Sequence, residues 1–320
     1  MTIYPHRVLG AVMVCLTTAI GCAAEVGGPD QEIEAAQEPL VSTSAFTMTY
    51  AGWKKDRLNG TCSASTNNSI KGYEPSTTGT FPVFVFVTGT SMTFDGAVDE
   101  NLIQYMGGQG FVAATVQYDN SSYPASCGPA QSKANCIYNT SSPSSAISQL
   151  CSRPKADCAT KGIYVSGFSQ GANLSSMAAN YGANMRAAYL IGNGDVASRI
   201  YNLSTCLDKP YLAFSSAQLR EVNGQVDQYF GATQSGVQSQ LQKVTGVSCA
   251  SGTYDCLQPD GSGWYIIANS ELVDGKADHC YFYNGANSTC SSWNGFDVKW
   301  DTGTTLPWQK IQDLAWLMSK

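Results

Sequence analysis

The sequence predicts a single α/β domain with a mostly parallel central sheet, helices on both faces and no large lid domain. Short apolar runs such as FPVFVFV at 81–87 lack the polar alternation of a half-exposed strand, so they fit strands buried on both faces. Helix-like stretches separate these runs, as parallel neighbours require. No internal repeat and no second low-complexity linker follows residue 43, and only about 18 residues separate the strand ending at Ile191 from Pro210. That interval is too short for an inserted lid.

The first 22 residues read as an export signal. Arg7, with His6 beside it, precedes an apolar run, Val8–Ile20, of about 13 residues. A bilayer span needs roughly 20. Ala19-Ile20-Gly21-Cys22 resembles a bacterial lipoprotein box, in which Cys22 would be lipidated and become the mature N-terminus; an ordinary secretory signal is the alternative. The expected location is the outer membrane or cell surface, otherwise secreted or periplasmic, with any membrane contact made through the lipid anchor alone. Residues 23–42 carry several acids, Gly and Pro and few large apolar groups, so they read as a flexible acidic tether. The catalytic domain is expected over 43–320.

Within that domain the expected strands are Phe81–Val87, Phe111–Gln117, Gly162–Ser166, Arg186–Ile191, Leu219–Asn223 and Trp264–Ala268. Helices are expected at Ala97–Met106, Pro143–Cys151, Gln170–Tyr181, Val237–Val244 and Leu306–Met318, the last with Leu306, Ile311, Leu314, Ala315 and Met318 on one face. A loop is expected from Tyr118 to the helix at Pro143.

Charge and cysteine usage narrow the partners. The 320 residues carry 18 basic and 24 acidic side chains, a net charge of −6. Glu25, Asp30, Glu32, Glu34 and Glu38 all precede residue 43, so the domain itself is nearly neutral. A nucleic-acid partner is not expected, because no basic excess exists to meet phosphates. Beyond Cys15 and Cys22, ten cysteines remain, an even number that reads as five disulfides in an exported protein. Short loops suggest Cys127–Cys136, Cys151–Cys158, Cys249–Cys256 and Cys280–Cys290, leaving Cys62–Cys206 as a long-range staple. No C-x-x-C pair is present and one histidine survives processing, so neither a metal site nor a cofactor is expected.

The chemistry centres on Ser169. Gly167-Phe168-Ser169-Gln170-Gly171 is a G-x-S-x-G turn between a buried strand and a helix. Glycines are needed on either side because a Cβ there would clash with the neighbouring strand or helix. The turn lifts the hydroxyl above the sheet and sets free N–H groups beside a developing oxyanion. Serine needs an adjacent base. His279 follows the last expected strand and is the one histidine left after signal removal. Asp227, in a G-x-x-D turn after strand Leu219–Asn223, is the expected carboxylate partner, with Asp195 as runner-up. Glu221 falls inside its strand, and Asp274 and Asp278 lie close to His279 in sequence. The Gly-, Asn- and Ser-rich segment after Cys280 suggests that a bridge to Cys290 would steady His279.

The order Ser169, Asp227, His279 resembles that of the α/β-hydrolases, from about residue 81 to the end. The elbow is similar to that of cutinases, which carry Gly-Tyr-Ser-Gln-Gly, and the plan is similar to dienelactone-hydrolase-like and polyester-hydrolase-like enzymes. The resemblance implies an oxyanion hole from the main-chain N–H groups of Gln170 and Thr90, the latter in Thr88-Gly89-Thr90-Ser91, where many relatives have His-Gly. It implies a carboxylic ester hydrolase working through an acyl-enzyme, on small or polymeric esters. Tyr118, Tyr123 and Trp264 are candidates for lining the site. A peptidase or acyltransferase with the same triad, or a non-catalytic surface-binding module, are the alternatives.

Overall fold

A computed structural model describes residues 41–55, 60–282 and 298–320, which belong to one compact unit. Two long strands come first, β1 (Thr43–Lys54) and β2 (Thr61–Pro75). Strands and helices then alternate through β3 (Val83–Val87), α1 (Ala97–Gly108), β4 (Val112–Val116), α2 (Cys127–Tyr138), α3 (Ala146–Cys151), β5 (Ile163–Phe168), α4 (Gln170–Ser176) and β6 (Met185–Ile191). A small hairpin, β7 (Val196–Ala197) and β8 (Tyr201–Asn202), leads through α5 (Ser204–Leu207) to β9 (Leu219–Gly224) and α6 (Gln234–Thr245). β10 (Asp255–Leu257), β11 (Gly263–Ile267), α7 (Val298–Thr302) and α8 (Lys310–Met318) complete the described elements.

The main sheet has nine strands in the order β1-β2-β4-β3-β5-β6-β9-β11-β10. From β4 to β11 every pairing is parallel, and β1, β2 and β10 add antiparallel edges. Period-two geometry sorts the apolar runs onto two faces. Val83, Val85 and Val87 of β3 join one core with Ile137 of α2, Leu150 of α3 and Leu174 of α4. Phe84 and Phe86 point the other way, into a core with Leu102 and Met106 of α1 and Leu314 and Leu317 of α8. The fold is therefore the α/β class expected, with a mostly parallel sheet covered on both faces.

Several elements differ from expectation for local reasons. The helix expected at Pro143–Cys151 begins at Ala146, where the Ser145 hydroxyl accepts from the Ser148 N–H and caps the first turn. The last helix begins at Lys310, after Pro307. The pair β1–β2 is unforeseen because neither strand has a continuous apolar run; β1 instead alternates Phe46, Met48 and Tyr50 toward the core with exposed Thr47 and Thr49. Val41 and Ser42, expected in the tether, are hydrogen-bonded to the domain at the Gly108 carbonyl and the Ser76 N–H. Cys22, the expected export signal and residues 23–40 of the expected tether lie outside the described residues.

The disulfides correct two expected pairings. Cys127 and Cys136 lie on one helix, α2, where a loop was expected. Nine residues of helix separate their Cα atoms by about 13–14 Å and turn them to opposite sides, beyond the roughly 7 Å that a bridge allows. Cys136 instead joins Cys62, with Cα atoms 5.3 Å apart, and Cys127 joins Cys206 at 5.8 Å. Cys62–Cys206 is therefore not a pair. Cys151–Cys158 and Cys249–Cys256 pair as expected. Cys280 is disulfide-bonded, and its expected partner Cys290 lies outside the described residues.

Loop length ranks these bridges. Cys62–Cys136 and Cys127–Cys206 close 74 and 79 residues, against 7 for Cys151–Cys158. Constraint of the unfolded chain gives about 4.5 kcal/mol for either long bridge and about 2.5 kcal/mol for the short one. Paired Cys→Ala variants at 62/136 should therefore unfold at distinctly lower urea than those at 151/158. Equal midpoint shifts would show that loop closure does not set the ranking.

Candidate functional site

β5 runs directly into α4 through Ser169, whose φ of 54° and ψ of −121° lie outside the comfortable regions for an L-residue. The turn closes because its glycines bring backbones together. A Cβ on Gly171 would lie 1.9 Å from the Val87 carbonyl oxygen at the end of β3, and one on Gly167 would lie 2.5 Å from the Gly171 backbone. The Ser169 N–H donates to the Ile191 carbonyl of β6 at 2.9 Å, fixing the turn to the sheet. Its side chain opens onto a cleft shared with Thr90. Gly89, just before Thr90, packs against the same serine, so that a Cβ on Gly89 would lie only 3.2 Å from the Ser169 Cβ. The main-chain N–H groups of Thr90 and Gln170 donate to no protein acceptor among the described residues.

His279 and Asp227 meet at the ends of two neighbouring parallel strands. β9 ends at Gly224, and a tight turn, closed by the Asp227 N–H to the Gly224 carbonyl at 3.0 Å, delivers the carboxylate. Oδ1 accepts from the Tyr229 and Phe230 N–H groups, each at 3.0 Å, and Oδ2 lies 2.7 Å from His279 Nδ1. The loops are strapped together: the Val226 N–H donates to the Ala277 carbonyl at 2.9 Å, and the Ala277 N–H to Asn269 Oδ1 at 2.8 Å. Both side chains of the pair are buried. The imidazole is packed by Phe168, Tyr229 and Phe230, with ring centroids at 4.6, 4.9 and 5.4 Å. Since Asp227 offers acceptors on every side, the shared proton belongs on Nδ1, leaving Nε2 as the basic nitrogen. No hydrogen bond joins Ser169 to His279 among the described residues; Phe168, next to the serine in sequence, packs on the imidazole.

The other acids are engaged elsewhere. Asp195 is buried and bound to Lys243 Nζ at 2.8 Å. Asp278 accepts from the Cys280 N–H at 2.9 Å, and Asp274 from the Lys276 N–H at 3.0 Å. Glu221 is fully buried in β9, with neither carboxyl oxygen hydrogen-bonded among the described residues. Burial, reinforced by the nearby Asp195 charge, holds its carboxyl well above the usual range.

The cleft corrects two expected lining residues and adds several. Tyr123 lines it. Tyr118 instead lies in the core, its hydroxyl donating to the Thr88 carbonyl at 2.8 Å and lying 3.0 Å from Gln170 Oε1. Trp264 packs with Val237 and Leu241 and donates to the Val247 carbonyl. Both are large rings on strand-end segments, and the helices beneath them claim their faces. Phe168, Tyr201, Tyr229 and Phe230 line the cleft without having been anticipated. Phe168 and Phe230 were within reach of sequence reasoning, since they flank the candidate nucleophile and acid; Tyr201 sits on the unforeseen hairpin.

No family model matches the chain, and no curated protein matches it. Among solved structures it is similar to a hypothetical protein from Pseudomonas aeruginosa, with 14% identity over 57% of this chain and 50% of that one and a TM-score of 0.35. It is also similar to a candidate dienelactone hydrolase from Klebsiella pneumoniae subsp. pneumoniae, with 11% identity over 86% and 95% of the two chains and a TM-score of 0.47. A bacterial brefeldin A esterase, described as a homologue of human hormone sensitive lipase, matches at 15% identity over 47% and 39%, with a TM-score of 0.35. The chain thus spans about half the length of the Pseudomonas protein and less of the esterase.

Glu221 allows a test of the electrostatics beside the site. Because its native pKa is raised, the folded chain keeps a proton that the unfolded chain releases above about pH 4.3. The associated stability is fully present below that pH and is lost as pH rises through the native value. Glu221→Gln, uncharged throughout, should lose less stability than wild type between pH 5 and pH 8 in urea unfolding. Parallel pH dependences in the two proteins would show that Glu221 carries no such penalty.

Proposed function

We propose that the protein is an exported serine hydrolase that cleaves carboxylic esters through Ser169, His279 and Asp227. The observation that carries this reading is the buried 2.7 Å contact between His279 Nδ1 and Asp227 Oδ2, set beside a serine in a strained strand-to-helix turn. Strain of this kind persists where the surroundings over-determine it, and it concentrates at reactive positions. In the proposed reaction His279 Nε2 takes the Ser169 proton as the oxygen attacks the acyl carbonyl, a contact that tightens once substrate is bound. Asp227 holds the tautomer and stabilises the imidazolium. The free N–H groups of Thr90 and Gln170 take the oxyanion. The imidazolium then protonates the departing alcohol, and water, activated by the same base, releases the acid and regenerates the serine. The disulfides among the described residues support export, since such bonds persist in oxidising compartments. Lipidation at Cys22 belongs to the same proposal and is read from intact mass of the mature protein.

Ser169→Ala should lower ester turnover by roughly 10⁴–10⁶ and abolish labelling by a fluorophosphonate probe. Asp227→Asn should fold and lose about 10⁴ in turnover, because the imidazole loses its acceptor. Asp195→Asn, which touches Lys243 rather than the imidazole, should cost far less turnover than Asp227→Asn. Normal turnover in a folded Ser169→Ala would overturn the reading, and preferential cleavage of peptides over p-nitrophenyl esters would make the enzyme a peptidase.

A further inference from the structure

The cleft beside Ser169 is small and has a rigid outer wall. Its volume is about 130 Å³ and it is partly open to solvent, so its floor and walls hold about as much as the roughly 150 Å³ engineered apolar cavity that admits one benzene ring. Two tyrosines in tilted contact form the wall, Tyr123 and Tyr201, with ring centroids 5.3 Å apart and planes 44° from parallel. Tyr123 is fixed from behind, its hydroxyl donating to Asn173 Oδ1 at 2.5 Å, while Asn173 Nδ2 donates to the Gly194 carbonyl at 3.1 Å. Tyr201 is carried by the β7–β8 hairpin, whose tip is unusual. The Ile200 N–H closes the turn on the Ala197 carbonyl at 3.2 Å, and Ser198 and Arg199 both lie in the left-handed region, with φ of 51° and 61°. A turn of this kind is ordinarily made by Asn-Gly or another glycine-containing pair.

The surroundings hold this strained tip from several directions. Ser198 N–H donates to the Tyr229 carbonyl at 2.8 Å, and Val196 N–H to Gln240 Oε1 at 3.1 Å. Leu203 N–H closes onto the Asp195 carbonyl at 2.7 Å, and Cys206, just beyond, is bonded to Cys127. A wall pinned at both ends and at its tip does not swing aside to enlarge the cleft.

The cleft also has a direction. Phe168, Tyr229 and Phe230 line the cleft and pack on the imidazole of His279, which is not itself among the lining residues, and the departing alcohol must stay within reach of that imidazole to be protonated. The cavity in front of those rings therefore suits the acyl side of the scissile bond. Resting on the ester-hydrolase reading above, we infer that Tyr201 caps an acyl pocket, so that this enzyme takes carboxylic esters whose acyl group is no larger than a short chain or one ring.

The test is kcat/KM for p-nitrophenyl acetate, butyrate and decanoate, with fluorophosphonate labelling of Ser169 alongside. Wild type should use decanoate at least tenfold less well than butyrate. Tyr201→Ala should raise the decanoate-to-butyrate ratio about tenfold, whereas Tyr201→Phe, which keeps the ring, should retain the wild-type ratio. Ile200→Ala, at the exposed hairpin tip and 72% exposed in wild type, should retain it too. If Tyr201→Ala fails to fold, Tyr201→Leu replaces it and should move the ratio in the same direction. Equal use of butyrate and decanoate by wild type, or an unchanged ratio in the folded ring-less variant, would overturn the inference while leaving the hydrolase reading standing. Absence of both labelling and hydrolysis of every ester would overturn the hydrolase reading instead.

Discussion

The approach of α4 to the end of β3 is the constraint on which the rest of the site depends. With no Cβ at Gly171 the helix backbone sits against the Val87 carbonyl, and with none at Gly167 the chain doubles back on its own first helical turn. Ser169 is forced into its strained φ and ψ by that closeness. A larger residue at either glycine would have to push a central strand or the helix aside, and both are packed on two sides. The strain is therefore held by the whole parallel sheet, and the same sheet presents the loops after β3, β9 and β11 at one edge.

Those loops are positioned by different means. After β9 and β11 the two loops support each other, because Val226 bonds Ala277 while Asp227 bonds His279. Behind them β9 is tied to α8 by the buried Arg220–Asp313 pair at 2.7 Å, and Arg220 also donates to the Gly261 and Pro307 carbonyls. Burial still raises the Asp313 carboxyl to about 6 against that cation. A buried pair of this kind adds less to net stability than its geometry suggests, but losing one partner would strand the other charge. Its consequence here is register: the strand that ends before Asp227 cannot slide relative to α8 without stranding a charge.

How much of this was legible in the sequence follows from where the information resides. The buried central strands declared themselves because burial on both faces demands unbroken apolar runs, as in β3 and β4. The Asp227–His279 contact was legible because His279 is the one histidine beyond His6 and the acid followed a glycine turn at a strand end. β1 and β2 lack unbroken apolar runs: β1 shows only the alternation of Phe46, Met48 and Tyr50 with Thr47 and Thr49, a half-buried pattern that was passed over, and polar β2 is defined by the strands it pairs with. The Cys127 and Cys136 partners were hidden for a related reason. Once their segment is a helix, nearness in sequence becomes separation in space, and the true partners lie 79 and 74 residues away. Tyr118 and Trp264 were as plausible as Tyr123 by type; only the hydrogen bonds of their hydroxyl and indole groups decide that they serve the core.

The segment from Asp195 to Cys206 links the cleft wall to the turn that carries the acid. It follows β6 as a short excursion that buries Leu203 and Cys206 but leaves its tip exposed at Ile200, and such a tip would ordinarily move freely. Here each end is secured by an interaction that the sequence separates widely, Asp195 to Lys243 at one end and Cys206 to Cys127 at the other. The middle is bonded to the Tyr229 carbonyl, in the same turn whose N–H groups hold Asp227. Displacing the hairpin would therefore pull on the loop that orients the imidazole. The cleft wall and the acid–base pair are thus supported by one connected set of bonds, so the shape of the cleft and the orientation of His279 vary together.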